Sequence, residues 1–393
     1  MALIKLLEGV KILDLTRLLP GGYCTQMLAD MGAEVLKIEE LQIGDYIRVM
    51  GSPVDGGDSV YFYALNRNKK SMRLNLKESE GQAVFCRMVE SYDVLIEGFR
   101  PGVMEKLNLG YDSLSKINPG LVYCSVTGYG QSGPYSLRAG HDINYISIAG
   151  ALGLTGSRDS VPVMPGVQVA DIGGGGLMAA VGILAAIVNR QRTGKGQYID
   201  VAMLDGAVSW ITMYLAHYLN TGEKVGRGEM PLNGGQVCYN VYETKDGKFV
   251  SLGALEPKFW KEFCRLSGKN DLLKRQFSGS KKDFAEVQQF FSTKTRDEIV
   301  EMFRQTDACV EPLLEVNEVA EHPHVIHRQL ITDLALPGGK AVKTVALPLK
   351  FPGAETDEDR LPPAFGQHTA EVLMSLGYSR EQIDILQENG VVA

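Results

Sequence analysis

The chain has 393 residues, 45% of them hydrophobic and 22% charged, which are the proportions of a soluble globular protein long enough for two domains. Its 40 Lys and Arg against 47 Asp and Glu leave a net charge of −7, so it lacks the basic face that bulk nucleic-acid binding requires. Six scattered cysteines (Cys24, Cys86, Cys124, Cys238, Cys264, Cys309) form no CxxC pair and read as reduced core thiols of a cytosolic, cytoplasmic protein.

Lys5, Glu8 and Lys11 interrupt any apolar stretch near the start, so no secretory signal is expected. Residues 10–15 form a short aliphatic run that predicts a strand. A loop with Pro20-Gly21-Gly22 follows, then an amphipathic helix through Met27 and Leu28. Gly32 ends it, and residues 34–39 (EVLKIE) read as the next strand. The pattern recurs with a helix over 77–91, a strand over 93–97, a helix over 111–117 and a strand over 121–127. Strands alternating with helices in this way predict a doubly wound, Rossmann-like α/β domain with a parallel sheet covered on both faces.

From about Gly150 the chain turns to Gly-rich loops and then a helix over 176–192. Its longest apolar run, 177–188, is short of the roughly 20 residues that a membrane span needs, so a buried helix and no span are expected. A strand over 198–203 and a helix to about Leu219 follow, then a Gly-rich, charged stretch at 221–235 that reads as a linker or exposed loop. The turn Lys245-Asp246-Gly247 between two strand patterns predicts a hairpin within 237–255, with helices from 258 to about 303. The expected division is a large α/β domain over 1–220, a small α+β domain over 221–330, and a segment over 331–393 that returns to the large domain.

Several features invite a functional reading. Glu39 and Glu40 end the second strand, where a ribose-binding carboxylate sits in dinucleotide enzymes. The first turn, Thr16 to Gly22, lacks the GxGxxG spacing, so such a site is disfavoured. The run Gly173 to Gly176 before a helix is either a packing turn or a close backbone approach to a ligand; no Lys-Ser or Lys-Thr follows to make a P-loop. Asp171, just before that run, reads alone as a helix cap, and His141 alone as structural. His322, His324 and His327 match no zinc spacing and read as a surface turn, so no metal site is expected. Arg67, Lys69, Lys70, Arg73 and Lys77 read as a solvated cationic face. Arg100 follows a strand end, where parallel sheets bind ligands, and suits a phosphate contact. Met164, Met178, Met203, Met213 and Met230 are candidates for an adaptable apolar wall, with ordinary core the simpler reading.

The stretches ADMGAEVLKIE (29–39), DVLIEGFRPGVMEKL (93–107), TGYGQSGP (127–134), GHDINY (140–145), VADIGGGG (169–176) and GKGQYIDVAMLDG (194–206) together resemble the family III CoA-transferases, the CaiB/BaiF superfamily. The likeness runs from residue 8 to about 260 and more weakly to GQHT at 366–369. It implies an acyl-CoA substrate, an interlocked homodimer, and no cofactor beyond the coenzyme A of the substrate. The resemblance places coenzyme contacts at Lys77, Gly98, Phe99, Arg100, Lys106, Gly140, Asp142 and Tyr145. Glu40 stands where a basic residue is often found in the family.

In the family's transferases a carboxylate matching Asp171 attacks the thioester. In its α-methylacyl-CoA racemase branch that aspartate works with a histidine matching His141 and a glutamate matching Glu256, and the transferases lack the histidine. The resemblance therefore implies a racemase, with a CoA-transferase using Asp171 as nucleophile as the alternative. Racemisation beside a thioester removes a proton from one face of the carbon and returns one to the other, which suits an imidazole and a carboxyl with a raised pKa. Backbone N–H groups near the glycine run are the expected donors to the enolate oxygen.

Overall fold

The computed structural model describes residues 3–393, which divide into two compact units. The first comprises residues up to 148, 167–209 and 323–393; the second comprises 149–166 and 210–322.

The first unit is built on six parallel strands: β1 (Lys11–Leu15), β2 (Glu34–Glu39), β3 (Lys69–Arg73), β4 (Val94–Glu97), β5 (Val122–Thr127) and β6 (Gln197–Ala202). Their spatial order is β3-β2-β1-β4-β5-β6, with every neighbouring pair parallel. This is the doubly wound order, and it reverses direction between β1 and β4.

Period-2 alternation along the strands sorts side chains into two cores. Leu13, Leu36, Leu95 and Tyr123 face one cluster with helices α2 (Ser79–Val89) and α3 (Tyr111–Ile117) and the C-terminal helices Thr369–Ser375 and Arg380–Glu388. Ile12, Val35, Val94 and Cys124 face the other cluster with α1 (Leu18–Asp30) and α5 (Met178–Thr193); α4 (Asp142–Ile148) lies between these in sequence. The strands are near-continuous apolar runs because both faces are covered.

The cations of 67–77 do not form one solvated face: Arg67 and Lys69 are buried and Lys77 is exposed. Residues 69–73 form the edge strand β3, where Lys70 reaches outward to Glu371 (3.0 Å) and Lys69 is buried. The Lys69 ammonium contacts Thr25 Oγ1 (2.7 Å), Asn66 Oδ1 (3.0 Å) and the Gly22 carbonyl (3.2 Å), with Asp14 Oδ2 at 3.5 Å. Burial pushes it down to about 8, with Asp14 countering the effect.

The long helix begins earlier than its sequence pattern predicts, with a π-helical segment over Val169–Leu177 that runs into α5. The helix Val169–Thr193 is long and apolar enough to cross a membrane by length and composition. Ala179, Ala180, Ile183, Ala186 and Ile187 pack into the sheet core, as befits a core helix.

The second unit carries an antiparallel sheet of β7 (Tyr239–Glu243), β8 (Phe249–Gly253) and β9 (Val310–Pro312), with β8 central. The β7–β8 hairpin turns at Gly247, whose φ of 73° lies in the left-handed region that glycine adopts without strain. The longer helices of this unit are α6 (Thr212–Thr221), α7 (Pro257–Ser267), α8 (Lys281–Phe291) and α9 (Arg296–Phe303). Trp260, Phe263, Phe290, Phe291 and Phe303 form its aromatic core, and Trp260 Nε1 donates to the Leu272 carbonyl (2.9 Å). Arg227, from the loop after α6, donates to the carbonyls of Gly153 and Ser157 (both 3.1 Å) and Ser160, fastening the excursion 149–166 within this unit.

Candidate active site

In a doubly wound sheet the loops leaving the carboxyl ends of the two strands at the reversal diverge and open a crevice. Here that point lies between β1 and β4. A cleft of about 790 Å³ lies there, lined by Thr16, Arg17 and Leu18 after β1, Gly98 after β4 and Val126 of β5. Gly140, His141, Tyr145, Asp171 and Met203 also line it. The structure thus brings two of the three expected catalytic residues, His141 and Asp171, into one cleft.

Local structure explains their placement. His141 precedes α4, where its carbonyl accepts from Asn144 N (2.8 Å) and its own N–H donates to Asn144 Oδ1 (3.0 Å). Its side chain is exposed. Tyr145 is buried beneath, donating to the Gly140 carbonyl (2.6 Å). Gly128 and Gly140 leave room for its ring, since a Cβ on either would stand 2.5 or 2.7 Å from it.

Asp171 sits in the first turn of the π-helical segment and is half-buried. Its carboxylate accepts no hydrogen bond among the described residues. Burial and the neighbouring Asp142 push it up to about 6, against the opposing pull of His141. Asp142 Oδ1 accepts from the backbone N–H of Ala170 (2.6 Å) and Asp171 (3.0 Å). This ties the His141 motif to the Asp171 motif. It also occupies two of the amides at this helix start that sequence reasoning offered to an enolate oxygen.

The glycine run is a packing device. A Cβ on Gly174 would stand 2.6 Å from the Met203 carbonyl, and one on Gly206 would stand 2.2 Å from Gly174 Cα. A Cβ on Gly176 would likewise stand 2.8 Å from the Pro20 carbonyl. The start of α1, the π-helical segment and the helix Met203–Trp210 after β6 therefore meet backbone to backbone.

The expected coenzyme contacts group on the carboxyl side of the sheet. Gly98, Phe99 and Arg100 follow β4, Lys77 follows β3, and Lys106 lies on the short helix Val103–Lys106. Lys77, Arg100 and Lys106 are exposed and form no ion pair among the described residues. Phe99 N donates to Glu97 Oε2 (2.7 Å), and Glu97, buried beside Ser125, is pushed up to about 7 by that burial.

Neither glutamate at the end of β2 is placed to hold a ribose. Glu39 is buried and takes Arg48 through two contacts of 2.8 and 2.7 Å, plus the Ser71 hydroxyl. Glu40 folds back to accept the amides of Gln42 (3.0 Å), Ile43 and Gly44 (2.7 Å).

Other expectations divide. Met203 lines the cleft, but Met164 and Met213 are 65% and 67% exposed, so these two are not core. His324 and His327 stack 6.4 Å apart on the short helix Pro323–His327. Glu256 belongs to the second unit, where it precedes Pro257 at the start of α7 and its side chain is exposed. That unit holds a larger hollow, about 1080 Å³, lined by Asn240, Gly253, Cys309 and others. Size alone favours it, but the carboxyl raised toward neutrality beside an imidazole lies in the cleft at the sheet reversal. Sequence reasoning did not single out Thr16–Leu18, Ile47 or Tyr61 as lining; only the position of the first after strand one offered a signal.

A parallel sheet of this order with an acid–imidazole cleft at its reversal defines an α/β enzyme class acting on a ligand bound across the strand ends. The chain belongs to CoA-transferase family III, whose sequence model matches residues 7–369. It is 39% identical to the alpha-methylacyl-CoA racemase of Mus musculus over 399 residues, covering 98% of this chain and 97% of that one. It is 33% identical to the succinyl-CoA:glutarate CoA-transferase of Homo sapiens over 398 residues, covering 99% and 90%. A crystal structure of a CAIB/BAIF family protein from Brucella suis superposes with a TM-score of 0.83 at 31% identity, covering 95% of this chain and all of that one.

Proposed function

We propose that the protein is an α-methylacyl-CoA racemase that inverts the 2-methyl centre of an acyl-CoA thioester. The observation that carries this reading is the presence of His141 and Asp171 in one cleft, with the Asp171 carboxyl pushed up to about 6. A transferase needs the carboxylate alone; a two-base exchange needs both groups, sharing one proton between them. The His141 imidazole takes the α-proton while the C–H electron pair moves into an enolate. Asp171 then returns its proton to the opposite face, and the reverse direction exchanges the roles. Similarity to a racemase at 39% identity supports the same reading.

The free cations Lys77, Arg100 and Lys106 suit the phosphates of coenzyme A, and the apolar side of the cleft, with Leu18, Ile47 and Met203, suits an acyl chain. Glu256 is assigned to orienting the imidazole, as the acid does in a triad. A homodimer completes the proposal. Helix α6 has no buried residue in the single chain, and Val181 and Val188, seven apart on one stripe of α5, are 62% and 60% exposed.

The test is α-proton exchange in D₂O with one enantiomer of a 2-methylacyl-CoA and no acceptor acid. Deuterium uptake with loss of chirality, absent in His141→Ala, is expected; no uptake with any chain length sinks the racemase. The second reading, a CoA-transferase, is favoured by the unpaired Asp171 carboxylate and by the 33%-identical transferase. It predicts that hydroxylamine traps an acylated Asp171 and that His141→Ala retains activity.

A further inference from the structure

Beneath the cleft wall lies an ion pair that the proposed chemistry does not use. Lys37 of β2 and Asp45 are 0% and 1% exposed, with Lys37 Nζ 2.8 Å from Asp45 Oδ2. Burying two charges is costly, and an apolar pair of the same volume often serves stability as well. Geometry gives this pair another purpose. Lys37 Nζ also donates to the Thr16 carbonyl (2.8 Å), while Asp45 Oδ1 accepts from Leu18 N (3.0 Å) and Ile47 N (3.1 Å). Asp14 Oδ1 accepts from Thr16 N (2.9 Å) and Thr16 Oγ1 (2.6 Å). Every one of these contacts to residues 16–18 converges on the turn that leaves β1.

That turn is strained. Leu18 has φ of 62°, a left-handed conformation that side-chain-bearing residues disfavour by roughly 5- to 30-fold in population. Such outliers persist only where surrounding contacts over-determine them. Here the over-determining contact is Asp45, which is itself fixed by Lys37. Thr16, Arg17 and Leu18 all line the cleft, and Arg17 Nη1 donates to the hydroxyl of Tyr46 (2.9 Å), the residue after Asp45.

We propose that Asp45, anchored by Lys37, is a positioning residue that holds the turn over residues 16–18 in its left-handed form and so shapes the acyl-CoA-binding wall. The inference rests on the reading of the cleft as an acyl-CoA site. Asp45 touches no reacting atom, so its loss alters binding more than the chemical step. The Asp45→Ala variant is expected to raise KM for a 2-methylacyl-CoA about tenfold, while kcat changes less than about threefold. Asp45→Asn, which keeps the oxygen that accepts from Leu18 N, is expected to retain most of the binding.

The decisive experiment is a double-mutant cycle with Leu18→Gly. Glycine adopts the left-handed conformation without help. In that background the effect of Asp45→Ala on KM is expected to shrink to about threefold or less. An undiminished tenfold effect, or a loss confined to kcat, overturns the proposal. If Asp45→Ala does not fold, Asp45→Asn and Asp45→Ser carry the same cycle, with the serine variant losing more binding than the asparagine variant only in the Leu18 background. Titration of the wild-type enzyme with the acyl-CoA separates the two failures. No binding there removes the acyl-CoA reading itself, whereas wild-type binding with an additive cycle removes only the role of Asp45.

Discussion

Replacing Asp171 with Asn tests whether its environment is built for proton transfer at the expense of stability. Burial and Asp142 raise the carboxyl from the ordinary 3.8 to about 6. The full difference corresponds to about 3 kcal/mol. Asp171 is only half-buried, and solvent screening reduces this to about 1–2 kcal/mol. The sign follows from linkage: a carboxyl whose folded pKa is raised favours the folded state below the unfolded pKa, and that contribution is lost as pH rises through about 6. Asp171→Asn does not titrate. Its advantage over the wild type is therefore small near pH 4, grows to about pH 7 and is constant above, reaching about 1–2.5 °C in Tm. The asparagine N–H₂ facing Asp142 adds a part that does not vary with pH, so the pH-dependent part is the diagnostic one. Thermal unfolding of both proteins at several pH values reads it, and α-proton exchange on the same samples is expected to fall by at least about 10²-fold. A Tm difference that is the same at pH 4.5 and 8, or one that moves against the variant as pH rises, refutes the argument.

Two more outcomes follow from the structure. Glu97→Gln removes a carboxyl that burial holds near 7, so it is expected to stabilise the fold by about 1–3 kcal/mol above pH 7 and not below pH 4.5, read by urea unfolding at both values; equal stability at pH 8 contradicts the account. The proposed dimer predicts a sedimentation mass twice the 43.0 kDa chain, reduced by Val181→Glu on the outer stripe of α5, and a monomeric wild type removes it.

The strands of the sheet were legible wherever both faces are apolar, as in VLIE of β4 and VYCSVT of β5. β3 was not, because KKSMR reads as a charged surface. Alternation sends Lys69 inward and Lys70 outward, and the carboxylate that receives Lys69 is Asp14, 55 positions away. No local pattern announces a buried lysine whose partner lies on another strand. Nor does one announce the Lys37–Asp45 pair, whose carboxylate lies in the loop after Lys37's own strand. Motif resemblance placed His141, Asp171 and Tyr145 together, but it left the glycine run open between packing and ligand contact. Only the 2.2 Å approach of a Gly206 Cβ to Gly174 decides for packing.

The order of the sheet is that of dinucleotide-binding domains, yet the parts that hold a dinucleotide are reassigned. Where those domains use glycine at the first turn, this chain has a left-handed Leu18 held by Asp45, so the backbone amide points at a carboxylate instead of a pyrophosphate. Where they aim an acid at the ribose, Glu39 is consumed by Arg48. What survives is the crevice, a consequence of strand order alone. Into it the chain brings His141 from the start of α4 and Asp171 from a π-helical turn, latched to each other by Asp142. Topology thus accounts for where the cleft lies, and these local departures account for which groups line it.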